Sequence, residues 1–414
     1  MSRPEQAVIL CGGLGTRLRP LTSTIPKPMA PVNGRPFLSY LVQQLKDQGV
    51  RRVLLLTGYL GETIQQFFGD GTAFGVEITY SKGPTEWETG RRLCEAKAAL
   101  DATFLLLYAD NYAPFRLERL AEFHRLQSAA ITLSVQPSER PNIRMTAAGR
   151  VDRYDASRTA PGLEFVEIGY MIVERDAVVG FLDVQDVSLS TALHRLAAAG
   201  NVFGLVSRDP YHSISDMDRL RLTERYLAPK RIVLMDRDGT INARPGRAEY
   251  VRRWADFRWL ESTVEAMQRL AAHGFRFIVL SNQAGIARGA VEASAVAEIN
   301  AHMCEALRER GVDVLATYVC PHHWDAGCEC RKPAPGLFFQ ASQAHQIRLD
   351  RTIYIGDDPR DSQAAFNACC SSVLIGPDRH GADGRMDQPD RVAESMLEIE
   401  GWIIARYEAW ESMP

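Results

Sequence analysis

Short apolar runs that end in aspartate or glycine recur along this chain and alternate with stretches of helical spacing. AVILCGG, RRVLLLTGY, TFLLLYADN and AITLSV read as strands, and FLSYLVQQLKDQG reads as a helix. This alternation predicts an α/β architecture whose strands end in loops that carry Asp or Gly. The pattern then restarts. RLRLTERYLAPKRIVLMDRDGT passes from a helix through a short proline-containing link into a new buried strand, which places a boundary near Pro229. RFIVLSNQAG, ATYVCPHH, TIYIGDD and SSVLIG continue the second series. GPDRHGADGRMDQPD then forms a polar loop before a final amphipathic segment, Arg391 to Trp410. The expected organisation is therefore residues 1–228, residues 229–376, and residues 377–414 as a polar loop with a C-terminal packing helix. A chain of 414 residues that is 46% hydrophobic can fill two such cores.

Composition narrows the function classes. A net charge of −3 gives no global attraction to nucleic acid or to anionic membranes. No apolar run approaches the ~18 residues of a membrane span. MSRPEQAVILCGG ends its apolar run in glycines and reads as a first strand rather than a signal peptide. Eight cysteines without an export signal point to a reducing, cytoplasmic setting, in which clustered cysteines favour metal over disulfides. The expected partners are small-molecule substrates, with neither nucleic acid nor membrane, and a homo-oligomer is left open.

The first strand runs into LCGGLGTRLRPLTSTIPKPMAPVNGRPFL. Gly12, Gly13 and Gly15, with Thr16, let backbone N–H groups approach phosphate oxygens closely. Arg17 can clamp a triphosphate bidentately, and Lys27, held between Pro26 and Pro28, can place a charge on the phosphorus under attack. No G-K-[ST] follows, so this is not a Walker A loop. The whole run resembles the signature of the sugar-1-phosphate nucleotidyltransferases, over about residues 5 to 227. The resemblance implies a GT-A-like fold, attack of a sugar 1-phosphate on the α-phosphorus of an NTP, and Mg²⁺ held by Asp110. Three stretches depart from the family pattern. Ser213 in HSISDMD stands where a second metal-binding Asp is usual, with Asp216 and Asp218 as substitutes; Asp155 and Ala156 replace a sugar-contacting Glu-Lys pair. Glu88, Arg91 and Arg92 replace small residues of a base-contacting loop.

RIVLMDRDGT places Asp236 and Asp238 directly after a buried strand. Asp236 can attack a phosphoryl group, and Asp238 can protonate the leaving oxygen and then activate water. Ser281 and Asn282 can bond the phosphoryl oxygens, Lys332 can neutralise them, and Asp357, with Asp358 and Asp361 close by, can bind Mg²⁺ together with Asp236 and Asp238. These four stretches, in this order, resemble the haloacid-dehalogenase (HAD) phosphatases. The fold implied is then two mainly parallel, Rossmann-like sheets flanked by helices, the first GT-A-like and the second HAD-like.

CPHHWDAGCECRKP supplies the four ligands Cys320, His322, Cys328 and Cys330, a set that suits tetrahedral Zn²⁺ with no open position. The clip would order the loop that carries Arg331 and Lys332, with His323 spare. With DRDGTIN, EYV and SNQAGIARG, it looks like the D-glycero-D-manno-heptose 1,7-bisphosphate 7-phosphatase group and its histidinol-phosphatase relatives, over about residues 230 to 376. Asp358 sits where some of these enzymes have Lys. Arg244, Arg247 and Arg252 are candidates for the second phosphate, with Arg252 and Arg331 taken as substrate contacts. Cys11, Cys94, Cys369 and Cys370 read as packing, and Trp402, Ile403, Tyr407 and Trp410 as an interdomain or subunit stripe. The two halves together imply a bifunctional enzyme that makes an NDP-heptose, with GTP as the nucleotide and the α-anomer as the sugar. The alternatives are a phosphatase with a regulatory, binding-only first half, or both activities on another sugar phosphate or on histidinol phosphate.

Overall fold

The computed structural model describes residues 3–182, 187–246, 249–376 and 388–412. It divides into two compact units, Met1–Leu227 and Ala228–Met413. Among the described residues no helix is long and apolar enough to cross a membrane.

In the first unit the strands β1 (Gln6–Cys11), β2 (Arg52–Thr57), β3 (Glu77–Lys82) and β4 (Thr103–Tyr108) form a parallel block in the order β3-β2-β1-β4. The sheet continues through β8 (Phe165–Glu174), which runs antiparallel to β4, to β5 (Ile131–Pro137), β6 (Ile143–Met145), β7 (Val151–Tyr154) and β9 (Val202–Val206). Both faces are covered. Ala7, Ile9 and Cys11 of β1 enter one core and Val8 enters the other, as a period of two requires. The helices α1 (Phe37–Asp47), α2 (Thr89–Glu95) and α3 (Met217–Leu227) border the region that concerns the site.

The second unit is a fully parallel sheet. Its strands are β10 (Ile232–Met235), β11 (Arg276–Asn282), β12 (Val314–Cys320), β13 (Ile353–Gly356), β14 (Ser371–Ile375) and β15 (Arg391–Ala393), in the order β12-β11-β10-β13-β14-β15. Val233 and Met235 point into one core, and Ile232 and Leu234 into the other. The helices are α4 (Glu261–Ala272), α5 (Ala293–Glu309), α6 (Gly336–His345), α7 (Pro359–Asn367) and α8 (Glu400–Glu411).

In both units the first strand is central. The chain leaves β1 toward β2 on one side and reaches β4 on the other; it leaves β10 toward β11 and returns to β13. Connections that depart in opposite directions cannot cover the C-terminal ends of the two neighbouring strands, so a crevice opens there.

The C-terminal segment, expected as a polar loop with a packing helix, belongs to the second unit. Residues 377–387 lie outside the described residues, but β15 extends the sheet as its edge strand, and Ile403 and Tyr407 of α8 are buried in the core of the second unit. The stripe of Trp402, Ile403, Tyr407 and Trp410 therefore packs within its own unit. The Tyr407 hydroxyl donates to the Ile232 carbonyl and accepts from the Ile353 amide at 3.2 Å, which ties α8 to the two central strands. Tyr407→Ala is expected to lower unfolding stability by about 3–5 kcal/mol, and Tyr407→Phe by about 1–2 kcal/mol, through the unpaired amide and carbonyl. Urea denaturation followed by tryptophan fluorescence checks both; an unchanged midpoint for Tyr407→Ala would show that α8 does not stabilise the core.

Candidate active sites

The crevice of the first unit is a cleft of about 500 Å³, lined by Gly12, Gly13, Gly15, Thr16 and Arg17 after β1, by Lys27, and by Asp110 after β4. This size suits a nucleotide-scale ligand. Lys27 forms an ion pair with Asp110, largely shielded from solvent. Gly12 allows a close approach: a Cβ there would lie 2.4 Å from Cζ of Arg92. The Arg92 guanidinium is buried and donates to the Thr57 carbonyl at 2.8 Å and the Pro84 carbonyl at 2.6 Å, so it braces the loops around the cleft. Glu88 lines the cleft beside Trp87, over whose ring Arg91 stacks at 4.6 Å.

Two of the departures noted in the sequence resolve differently in space. The residue that borders the cleft beside Asp110 is Ser215, not Ser213. Ser213 is buried, accepts from Arg219 at 3.2 Å and donates to Ser215 at 3.3 Å. Asp216 uses its carboxylate at the start of α3, accepting from the Arg219 amide at 2.9 Å and the Ser215 hydroxyl at 3.1 Å. Asp218 is 91% exposed and pairs with Arg221, and neither aspartate lines the cleft. Asp155 organises its own turn: it accepts from the amides of Ser157 at 2.9 Å and Ala160 at 2.8 Å, and the Ser157 hydroxyl and these amides hold its carboxyl well below the usual range.

The second crevice is a cleft of about 530 Å³ between the ends of β10 and β13. Carboxylate oxygens of Asp236, Asp357 and Asp361 lie within 4.8 Å of one another. Asp236 follows β10, Asp357 follows β13, and Asp361 sits in the first turn of α7. Among the described residues, Asp357 Oδ1 is buried without a hydrogen-bond partner. Gly239, at φ +99°, permits this crowding, since a Cβ there would lie 1.8 Å from Asp357 Oδ2. Asp361, only noted from the sequence as close by, joins the cluster, whereas Asp238, expected as a metal ligand, does not. Its carboxylate accepts from Arg237 at 2.8 Å, Gln283 at 2.6 Å and Asn242 at 3.0 Å. The fully buried Arg237, which also donates to Asn300 at 2.9 Å, fixes Asp238 on the wall of the same cleft.

Lys332 is buried at 3% exposure, with Nζ 2.7 Å from Asp236, 2.8 Å from Asp361, 3.0 Å from the Leu280 carbonyl and 2.6 Å from the Tyr354 hydroxyl. Burial alone would lower the ammonium, but Asp236 and Asp361 outweigh it and hold it above its ordinary value. Burial likewise drives the Asp236 carboxyl upward, against the pull of Lys332. Asn282 spends its carboxamide on the Lys332 backbone, with both bonds at 3.1 Å. Ser281 lies on the cleft wall and accepts from Gln283 at 2.8 Å. Tyr354 gave no sequence signal beyond its place in an apolar run.

The arginines are redistributed. Arg252 is exposed and does not line the cleft, because Val251 turns into the core and Arg252 faces outward; Arg247 lies outside the described residues. Arg244 does reach the cleft, with Nε 2.7 Å from Asp357 and Nη2 3.3 Å from Asp358, and Arg331 and Arg360 line it as well. Asp358 caps α7 in a reciprocal capping box with Asp361. Burial opposes its charge, but Arg360 and Arg244 outweigh burial and hold it well below the usual carboxylate range.

Cys320, His322, Cys328 and Cys330 come together with donor–donor distances of 3.2 to 3.7 Å. Sulfurs this far apart are not disulfide-bonded. A tetrahedron of ~2.3 Å metal–sulfur bonds has edges of about 3.8 Å, so this donor set fits Zn²⁺. His323 turns to Asp325 instead. Cys11 and Cys370 are buried, and Cys94 and Cys369 are half-buried.

The model of the nucleotidyl transferase family matches residues 6–151, and that of the polynucleotide kinase 3 phosphatase family matches residues 231–369. The D-glycero-beta-D-manno-heptose-1,7-bisphosphate 7-phosphatase of Photorhabdus laumondii is 39% identical over 150 residues, 34% of this chain and 78% of that protein. The D-glycero-alpha-D-manno-heptose-1,7-bisphosphate 7-phosphatase of Mycobacterium bovis is 36% identical over 163 residues, 37% of this chain and 85% of that protein. Among solved structures, HddC from Yersinia pseudotuberculosis is similar at 21% identity and a TM-score of 0.45, over 52% of this chain and 96% of that one. With most of each curated relative's length aligned to the second unit, and a nucleotidyl transferase segment preceding it, the chain belongs to the D-glycero-D-manno-heptose-1,7-bisphosphate 7-phosphatase family.

Proposed function

We propose that the chain performs two consecutive steps of nucleotide-sugar biosynthesis. The second unit hydrolyses the 7-phosphate of D-glycero-D-manno-heptose 1,7-bisphosphate. The first unit joins the resulting heptose 1-phosphate to an NTP, expected to be GTP with the α-anomer, and releases pyrophosphate. The observation that carries the reading is the placement of Asp236 at the floor of a crevice, 2.7 Å from a buried ammonium and grouped with two further carboxylates.

In the phosphatase step, the Asp236 oxygen not held by Lys332 attacks phosphorus, the bond from phosphorus to the sugar oxygen breaks, and Asp238 gives a proton to that oxygen. Asp238 then takes a proton from water, whose oxygen attacks the aspartyl phosphate and frees Asp236 and inorganic phosphate. Arg237, Gln283 and Asn242 aim Asp238, and Lys332 offsets charge on the phosphoryl group. The acids Asp236, Asp357 and Asp361, with the unpartnered Asp357 Oδ1, fit Mg²⁺, which when bound supplies charge neutralisation at the phosphoryl oxygens. In the transferase step, amides of the Gly12–Gly15 turn and the side chains of Arg17 and Lys27 would receive the triphosphate, while Asp110 would hold Mg²⁺, which when bound supplies charge neutralisation at the phosphates. Zn²⁺ is assigned to Cys320, His322, Cys328 and Cys330 as a structural ion that orders the loop leading to Lys332.

Asp236→Asn is expected to reduce phosphate release from the bisphosphate by about a thousandfold or more, with nucleotidyl transfer retained, and Asp110→Ala to show the reverse pattern. Phosphate and pyrophosphate assays on both variants, with heptose 1-phosphate and all four NTPs, check this. Full phosphatase turnover by Asp236→Asn would remove the nucleophile assignment. No pyrophosphate from the wild type, with the phosphatase active in the same tube, would leave the first unit a binding and regulatory one. Cys328→Ser is expected to bring zinc below one equivalent per chain by metal analysis, and to expose the loop before Lys332 to proteolysis. Wild-type protein free of zinc would exclude the clip.

A further inference from the structure

Two rings in residues 320–330 stand outside the four-donor cluster: His323 and Trp324. His323 pairs with Asp325 and lays its ring against Trp324, with ring centroids 4.0 Å apart. Trp324 is 56% exposed, so core packing does not account for it. Its ring carries the guanidinium of Arg288, whose Cζ lies 5.0 Å from the ring centroid. The same Cζ lies 5.9 Å from the ring of Tyr250, and Arg288 Nη1 donates to the Tyr250 hydroxyl at 3.0 Å. Both separations fall within the reach of a cation–π attraction. Tyr250 is among the described residues that line the phosphatase cleft, and Arg288 and Trp324 are not.

The backbone brings these groups together. Arg288 lies in the turn after β11, where its amide donates to the Ala284 carbonyl at 3.2 Å. The Gln283 and Ala287 amides donate to the carbonyls of Cys320 at 2.8 Å and Pro321 at 3.2 Å, so this turn is laced to the start of the clip. The Tyr250 ring sits against the same turn, since a Cβ on Gly285 would lie 2.9 Å from it. Trp324 is thus the outer end of a contiguous run of side-chain contacts that reaches the cleft wall.

We infer that Trp324 is a positioning residue for the phosphatase step. It acts through Arg288 to hold the Tyr250 ring at the cleft wall, where the ring packs on the carbon skeleton of the phosphate ester. The inference rests on the phosphatase reading of this cleft and adds a determinant of affinity for the organic part of the substrate. The C–H groups of a sugar carry slight positive charge and suit the negative face of an aromatic ring. A long arginine side chain in solvent samples many rotamers, and a ring that covers its guanidinium keeps it on the tyrosine hydroxyl. Packing on the skeleton is the same before and during phosphoryl transfer, so its loss raises KM and leaves kcat alone.

The test is steady-state kinetics with heptose 1,7-bisphosphate on the wild type, Trp324→Ala, Trp324→Phe, Arg288→Ala and the double variant Trp324→Ala/Arg288→Ala. Trp324 and Arg288 are exposed, so the variants are expected to fold, and circular dichroism checks that they do. Trp324→Ala is expected to raise KM about two- to fivefold, the size of an exposed cation–π contact, with kcat unchanged and with most of the loss restored in Trp324→Phe. Arg288→Ala is expected to raise KM at least as far, and the double variant no further than Arg288→Ala. The inhibition constant for inorganic phosphate, which has no carbon skeleton, is expected to stay the same in every variant. An unchanged KM in Trp324→Ala, additive losses in the double variant, or phosphate affinity that falls in step with KM would each overturn the inference. Should the wild type release no phosphate, the phosphatase reading fails by itself, and calorimetric titration with the intact bisphosphate decides the positioning role. Affinity weakened in Trp324→Ala, with no further loss when that change is added to Arg288→Ala, upholds it; affinity unchanged by Trp324→Ala, or absent from the wild type, overturns it.

Discussion

An ammonium group removed from water is stable in a protein only where carboxylates and carbonyls replace its hydration, and the second unit is organised around one such group. Lys332 meets two carboxylates, a carbonyl and a phenol at once. Each partner arrives on a different element: Asp236 from the end of β10, Leu280 from β11, Tyr354 from β13 and Asp361 from α7. Removing the lysine would leave Asp236 and Asp361 as neighbouring buried like charges. The lysine backbone is in turn clamped by Asn282, and the peptide that leads to it comes from the cysteine and histidine cluster. The cation fixes Asp236, and the rest of the loop fixes the cation.

Both units solve the same geometric problem in the same way. A parallel sheet whose central strand is left in one direction and rejoined from the other leaves uncovered strand ends, and those ends are where charge can converge. In the first unit the crevice receives a glycine turn, Lys27 and Asp110; in the second it receives five acids, a lysine and three arginines. The chemistry differs because the loops differ, while the sheets only bring the loop roots together.

Much of this is legible in the residues themselves. Buried strands that end in GG or DxD announce both the strand and its functional loop, and a Cys-x-His-x₅-Cys-x-Cys spacing is specific enough to predict a four-donor cluster. What the sequence conceals is rotation and partnership. Asp238 follows the same strand as Asp236, yet its carboxylate is taken by the buried Arg237 and does not join the three acids. Asp361 lies one helical turn beyond Asp357, and only the path of α7 brings it back to the lysine. Ser213 and Ser215 are interchangeable on paper, but the cleft admits only the second. Arg252 faces outward because its neighbour Val251 is buried, whereas Arg244 pairs with Asp357 and Asp358 in the cleft. The amphipathic stripe of the last helix identifies a packing surface without saying which core it packs against.

The boundary between the units is only a few residues long: α3 ends at Leu227 and β10 begins at Ile232. So direct a covalent join has a consequence for supply and demand rather than for geometry. Every translated chain delivers one phosphatase cleft and one nucleotidyl transferase cleft, so neither gene dosage nor promoter strength can alter their ratio. The balance between them can shift only through turnover numbers, and selection must adjust it residue by residue within the two crevices.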